Sequence, residues 1–359
     1  MSELEFKKFD YSTSLNEQRE LFADCFPEAI LEKGNSEHYK WKFHSFPNEK
    51  PSYEYAAYYD HKMVGYYAAI PYQYSIDGKK STCGMVCDVM THSSMRGKGV
   101  FTKIGNFSTN EMKEQKLDFV SGYPIRPEVI PGHLKVGWKV AFSLPIYLRV
   151  LNSKSILKSK QIGFLSPLVN LVLSLMNLLV FNRVSSKKSI RFSVTNDTDF
   201  FDTPRYLDFF ENWKKTQNKY LIKSSNFMKW RLGASNSEYL IITMEEGEKI
   251  LGLCIAKKTD LDSIPSLALL DYMLPEEYLS LSKYFLKEIK IIAKDNSCEV
   301  IATMMSPYWK KKYSLGKQFF LKSPFVFSLI LKKLNIQDPN NTFFNENAWH
   351  LMWIDSDDL

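Results

Sequence analysis

The stretch DVMTHSSMRGKGVFTKI, residues 88–104, decides how the rest of the chain is read. A β-rich run leads into Arg96-Gly97-Lys98-Gly99, and an amphipathic helical pattern opens directly behind it. Glycine lets the backbone approach a ligand with no Cβ in the way. The helix N-terminus then offers unpaired N–H groups and a partial positive charge to an anion. Charge-assisted bonds of this kind contribute about 1.5–3 kcal/mol each, so a few of them suffice to hold a pyrophosphate. The plainer alternative is a surface loop that uses glycine as a turn residue. Two other phosphate loops are excluded. No GKS or GKT follows a four-residue gap, and the GxGxxG pattern fails because Thr102 stands where its last glycine belongs.

Around this stretch the first half reads as a strand at 4–9, helices at 15–25 and 36–44, and strands at 53–59, 63–74 and 82–91. Asp77-Gly78 supplies the turn between the last two. A helix at 99–115, a strand at 118–122, a short helix ending near Gly137 and closing strands through Val150 follow. Helices and strands mix along one mostly antiparallel sheet, so the expected class is α+β, an α/β/α three-layer arrangement. The second half repeats this order. SEHYKWKF followed by SYEYAAYYDHKMVGYYAA is matched by SNFMKWRL followed by SEYLIITMEEGEKILGLCIA, with Trp41 answering Trp230 and Gly65 answering Gly252. KVGWKVAFSLPIYLRVL is matched by SLGKQFFLKSPFVFSLIL. The expected division is a first domain at 1–150, a linker with an apolar helix at 151–195, and a second domain at 196–359 that ends in an acidic, aromatic tail.

Arg96-Gly97-Lys98-Gly99, with a strand before it and Val100-Phe101 opening a helix, resembles the coenzyme motif of the GCN5-related N-acetyltransferase (GNAT) superfamily, R/Q-x-x-G-x-G/A. DFVSGYP and LKVGWK resemble that family's next strand and its closing element, so the likeness runs over about residues 1–150. Ser93 stands where the family usually has proline. The resemblance implies that backbone amides of Arg96, Gly97, Lys98, Gly99, Val100 and Phe101 bind the pyrophosphate of coenzyme A. It also implies that the backbone of Val89, Met90 and Thr91 pairs with the pantetheine arm, with acetyl-CoA as acyl donor. In the second half, ALLDYM is followed by LPEEYLSLSKYF, and Glu276 and Glu277 stand where arginine and glycine belong. Two carboxylates suit a helix N-terminus but repel pyrophosphate. That half is therefore expected to be a degenerate repeat that shapes the acceptor site.

Acyl transfer to an amine needs a base for the ammonium proton and an acid for the departing thiolate. The family often places a tyrosine four residues before the closing glycine. Counting back from Gly137 reaches His133, which makes His133 the first candidate acid, against the reading of a helix-end histidine facing water. Tyr123, at the exit of the preceding strand, is the fallback. Asp88 and His92 flank the thioester strand and share a face with Met90, so either is a candidate base, as is a carboxylate of the tail. Trp349 and Trp353 are expected to anchor that tail, bringing Asp355, Asp357 or Asp358 toward the cleft.

The 359 residues are 45% hydrophobic and 24% charged, the balance of an ordinary globular chain. Net charge is +7 with basic residues spread along the chain, which does not call for a nucleic-acid partner and suits a triphosphorylated coenzyme. Five cysteines without a CxxC pair, and no histidine at ligand spacing beside them, give no metal site. The N-terminus has no signal-peptide core, and a reducing cytoplasm is expected. The uncharged segment at 162–181 yields a helix of about 22 Å from Pro167 onward, short of a bilayer core of about 30 Å. It is expected to be buried between the domains, with peripheral membrane or partner contact through 167–181 as the alternative. The reading that follows is an N-acyltransferase moving an acetyl group from acetyl-CoA to a primary amine such as an amino sugar. An aminoacyl-tRNA-dependent transferase and a non-catalytic acyl-CoA-binding module are its rivals.

Overall fold

The computed structural model describes residues 3–181, 189–234, 238–338 and 341–356. The fold is α+β, and the chain forms two compact units. The first comprises residues 1–142, 219–236 and 328–345; the second comprises 143–218, 237–327 and 346–359. The expected division at 1–150, 151–195 and 196–359 is a linear succession, whereas each unit is assembled from three separate segments and 151–195 falls within the second. The reason lies in the repeat itself. Corresponding segments carry the same local pattern, so sequence periodicity does not say which sheet receives them.

In the first unit, strands β1 (Glu5–Lys8), β2 (Tyr53–Tyr59), β3 (Lys62–Ile76) and β4 (Lys79–Thr91) form an antiparallel series. Asp60-His61 and Asp77-Gly78 make the two hairpin turns with positive φ, the geometry that matches the twist of the paired strands. After the helix Val100–Glu114, strand β5 (Phe119–Gly122) returns parallel to β4, and residues 330–333 close the sheet antiparallel to β5. Alternation along the strands sends side chains to two cores. Tyr55, Ala57, Tyr67 and Val86 pack with Val100, Ile104 and Met112 of the crossing helix. On the other face, Tyr66 meets the rings of Phe43 from the helix Ser36–His44 and of Phe9. The result is a three-layer unit.

The second unit repeats the order. Strands Ile190–Thr195, Tyr239–Glu246, Lys249–Leu261 and Ile264–Met273 are antiparallel. The helix Ser282–Asp295 crosses to Val300–Met304, which runs parallel to Ile264–Met273, and residues 146–150 close the sheet. Each closing strand thus belongs to the unit other than the one it follows in sequence. Gly65 and Gly252 serve one purpose in the two copies. Each sits at a register shift in its hairpin. A Cβ on Gly65 would lie 3.1 Å from Val100, and one on Gly252 would lie 2.6 Å from Leu274 and 3.2 Å from Phe285. The missing side chain lets the crossing helix or its lead-in rest on the strand. The Lys-Trp helices also correspond, because Ser225–Leu232 lies in the first unit beside Ser36–His44. Trp41 Nε1 donates to the Trp230 carbonyl and Trp230 Nε1 to the Trp41 carbonyl, both at 2.8 Å, with the rings stacked at 5.2 Å.

The apolar helix Ser166–Phe181 departs from its expected burial. Leu168, Leu171, Val172 and Leu175 are exposed, and the polar residues Ser166 and Asn170 face inward. Asn170 accepts from Ser153 N and Oγ at 2.8 and 2.9 Å and donates to Asn152, which holds the helix against its own unit by its polar side. No helix among the described residues is long and apolar enough to cross a membrane.

Candidate active site

The site grows from the end of β4. Pairing between β4 and β5 is confined to Cys83–Phe119, Gly84–Val120 and Met85–Ser121. Beyond Met85, β4 continues to Thr91 with β3 alone as partner, so one backbone edge of residues 86–91 opens where β5 leaves. A bulge interrupts that stretch. Tyr66 pairs with Met90 and Ala68 with Cys87, so Asp88 and Val89 together face one residue of β3, and Asp88 adopts φ +47°. A non-glycine residue in the left-handed region is uncommon and tends to occur at functional sites.

The loop after β4 is pinned at its start and open at its end. Asp24 accepts from Ser93 N and Oγ, both at 2.8 Å, and these bonds outweigh burial to hold its carboxyl below the usual range. Gly97 and Gly99 have φ of +77° and +78°, and a Cβ on either would meet no atom within 4 Å. Backbone conformation within the chain, more than crowding, therefore demands glycine at these two positions. Gly99 caps the helix Val100–Glu114 with no side-chain hydrogen bond and no acidic residue in the first turn. The first amides of that helix, at Val100, Phe101 and Thr102, lack intrahelical acceptors. They point from a helix start beside the exposed Arg96 and Lys98, a cradle suited to a phosphate.

The unit matches known proteins over this region. A family model described as an acetyltransferase (GNAT) domain matches residues 11–141. Over residues 11–141 the chain is similar to a GNAT domain, and its fold is GNAT-like. Among solved structures, the chain is similar to a GCN5-related N-acetyltransferase from Anabaena variabilis ATCC 29413, with TM-score 0.65 and 13% identity over 93% of this chain and 73% of that one. It is similar to a probable N-acyltransferase from Enterococcus faecalis V583, with TM-score 0.62 and 10% identity over 93% and 74%. It is also similar to Saccharomyces cerevisiae N-myristoyltransferase with bound myristoyl-CoA, with TM-score 0.59 and 12% identity over 94% and 84%. At these identities the likeness is one of fold. A search of curated proteins finds no match.

Within residues 11–141 the cofactor candidates fall together. Val89 and Thr91 are half-buried along the open edge, Met90 is buried, and Arg96, Gly97, Lys98, Gly99, Val100 and Phe101 form the loop and helix start. The proton-transfer candidates are more dispersed. His133, on the helix Ile130–Lys135, is caged by the rings of Phe101 and Trp138, each 5.0 Å away and edge-on. Phe101 reaches it because Gly132 carries no side chain, since a Cβ there would stand 2.6 Å from the ring. Burial pushes His133 down to about 4, so the imidazole is neutral near pH 7, and its Nδ1 has no hydrogen-bond partner. A neutral imidazole is a weak proton donor, and the water-facing alternative is also not what the packing gives. Tyr123 lies buried just past the end of β5, at the point where β4 and β5 separate.

Asp88 is joined by groups that sequence reasoning missed. Lys42 Nζ donates to Asp88 Oδ1 at 2.9 Å. Burial alone would raise the Asp88 carboxyl, but Lys42, with Arg19 and His38 nearby, holds it below its usual value. Burial and the Lys42 charge push His38 down to about 4. The available signal was the i, i+4 spacing of His38 and Lys42, which puts both on one helix face. His92 is occupied otherwise. Its Nδ1 accepts from Ser94 N at 3.3 Å and lies 2.8 Å from Ser94 Oγ, so the ring caps the turn that follows β4.

In the second unit the equivalent crossing has no cradle. A 3₁₀ turn, Glu276–Leu281, runs straight into the helix, and no residue there has positive φ. Glu276 and Glu277 are exposed and meet Lys312 and Lys249. The tail is anchored as expected at its two tryptophans. Trp349 and Trp353 are buried, and Trp309 Nε1 donates to the Trp349 carbonyl at 2.6 Å. Asp355 is buried and accepts from Met352 N at 2.8 Å, while Asp357 and Asp358 lie outside the described residues.

Proposed function

We propose that the protein is an acyl-CoA-dependent N-acyltransferase that transfers an acyl group, acetyl in the simplest case, to the primary amine of a small molecule such as an amino sugar. The observation that carries this reading is the uncapped helix start behind Gly97 and Gly99, set at the end of a strand whose neighbour has turned away. The amides of Gly97, Gly99, Val100 and Phe101 hold the pyrophosphate, those of Arg96 and Lys98 being bonded to the Ser93 and Met95 carbonyls, and the Arg96 and Lys98 side chains add positive charge. Backbone groups of Val89, Met90 and Thr91 line the pantetheine arm and bring the thioester to the gap between β4 and β5.

The amine nitrogen attacks the thioester carbonyl, a C–N bond forms and the C–S bond breaks. Tyr123 supplies the proton taken up by the departing thiolate, a role for which its position at the strand divergence favours it over the caged His133. Asp88, held ionised by Lys42, attracts the incoming ammonium and passes its proton to water. His133 shapes the wall behind Phe101. The test is release of free thiol from acetyl-CoA across an amine panel. Tyr123→Phe is expected to lower kcat by about 10²–10⁴-fold with coenzyme affinity unchanged. Tight acetyl-CoA binding with no thiol release over the whole panel would overturn the enzyme reading in favour of a binding module.

A further inference from the structure

The helix Ser166–Phe181 is amphipathic in the reverse sense from a core helix. Its first two polar residues, Ser166 and Asn170, are turned to the protein, while Ser174, one turn further on, is exposed. Ser166 is buried, and Asn170 makes hydrogen bonds to Asn152, Ser153 and Ser166. Its apolar side is turned out. Phe164, just before the helix, is 79% exposed, and Leu168, Leu171 and Leu175 are 63, 58 and 53% exposed. Spacings of four, three and four residues place these side chains in one stripe. The platform beneath is fixed, because Ser155 N and Oγ donate to Glu299 at 2.7 and 2.9 Å and start the short helix Lys154–Ser159.

Charge distinguishes what this stripe fits. Residues 152–196 contain seven basic residues and no acidic one, while the whole chain has a net charge of +7. Basic residues occur throughout the sequence, yet the net charge is accounted for by this one segment. Lys154, Lys158 and Lys160, all exposed, lie directly before the stripe. A protein partner would have to match both an apolar ridge and a dense one-signed charge. An anionic lipid surface does so by its nature, since acyl chains take the apolar side chains and headgroups take the lysines. A helix of 16 residues is about 24 Å long, too short to cross a core of about 30 Å, and lies in the interface plane.

We infer that the segment from Lys154 to Leu175 is a membrane-surface anchor that seats the protein on bilayers rich in anionic lipid. The anchor is independent of the proposed chemistry, so the two readings fail separately. The test is co-sedimentation of the full chain with phosphatidylcholine vesicles and with phosphatidylcholine–phosphatidylglycerol vesicles. Binding is expected to the anionic vesicles, to weaken with salt, and to be slight on the neutral ones. Lys154→Gln, Lys158→Gln and Lys160→Gln are each expected to weaken it about fivefold. Leu168→Asp with Leu171→Asp is expected to abolish it while the thermal transition and coenzyme binding stay as in the wild type. Phe164→Trp serves as a reporter whose emission shifts to the blue on vesicle addition. Equal binding to both vesicle types, no binding to either, or full binding by the Leu168→Asp/Leu171→Asp protein would overturn the inference. So would a wild-type dimer that these aspartates convert to monomer without any vesicle binding, since the occupant would then be a second copy.

Discussion

Two crossings in this chain start from the same blueprint. In the first unit, β4 carries a bulge at Asp88–Val89, then a loop, then the helix Val100–Glu114, then a parallel strand. In the second unit, Ile264–Met273 carries an irregularity beside Asp271, then a turn, then the helix Ser282–Asp295, then a parallel strand. A glycine in the neighbouring strand makes room for the crossing in both. What differs is the junction. One has two glycines at positive φ and a bare helix start; the other has a 3₁₀ turn with two exposed carboxylates. Packing accounts for the crossing in both copies, whereas the proposed ligand-binding chemistry rests on a junction of about six residues in one of them.

The strongest way to break this contrast is to spoil the first junction. Gly99→Val places a β-branched residue at φ +78° and obliges the helix start to reorganise. Losing two or more charge-assisted amide contacts, at about 1.5–3 kcal/mol each, is expected to weaken acetyl-CoA binding by more than a hundredfold. Arg96→Glu is expected to lose binding too, by charge alone. Calorimetry on the wild type should find one coenzyme per chain. Two equivalent sites, or wild-type affinity in Gly99→Val, would remove the distinction between the units.

A second prediction uses the closing elements. Aligning Gly137 with Gly316 puts His133 opposite Lys312. Lys312 lies over the Trp309 ring near Glu276, whereas His133 sits uncharged among rings. With a folded pKa of about 4 against 6.5 for the free group, His133 binds its proton more readily when the chain is unfolded. Its contribution is present above about pH 6.5 and is lost as pH falls through the window down to about 4, amounting to about 3 kcal/mol. His38 titrates in the same sense. Denaturant titrations are therefore expected to show wild-type stability falling across that window and His133→Phe falling distinctly less. Identical pH profiles for the two proteins would mean that His133 is solvated.

Much of this was legible in the residues. RGKG before an amphipathic pattern located the loop, and paired turn residues such as Asp77-Gly78 located the hairpins, because both signals are local. The Lys-Trp and glycine matches exposed the repeat. The exchange of closing strands was not legible, since the segments at 139–150 and 321–333 carry similar patterns and pairing is decided by partners distant in sequence. An uncharged helix reads as buried, and the outward turn of Leu168, Leu171 and Leu175 depends on what Ser153 offers to Asn170, a contact that no local pattern announces. The spacing from Gly137 points to His133. Counting does not reveal Phe101 and Trp138 closing around the ring.

The smallest expected effect separates charge from backbone as the reason the second junction is silent. Glu276→Gln with Glu277→Gln removes both carboxylates while keeping size and polarity. Both side chains are more than half exposed, Lys312 and Lys249 reach them only at 3.9 and 3.7 Å, and the Asn212 amide that donates to Glu277 at 3.2 Å can donate equally to a glutamine oxygen. Exposed pairs of this kind contribute little, so stability is expected to change by less than about 0.5 kcal/mol. If repulsion alone kept coenzyme away, the neutral variant would gain a second site. The geometry argues otherwise. Pro275 precedes the turn, its residues stay at negative φ, and the Tyr278 amide is already bonded to the Pro275 carbonyl at 2.9 Å. Without a left-handed residue the amides cannot turn together toward one anion. Calorimetry of the double variant is therefore expected to give one acetyl-CoA per chain, as for the wild type. A second binding event would show that the two carboxylates, and not the missing glycines, divide the units.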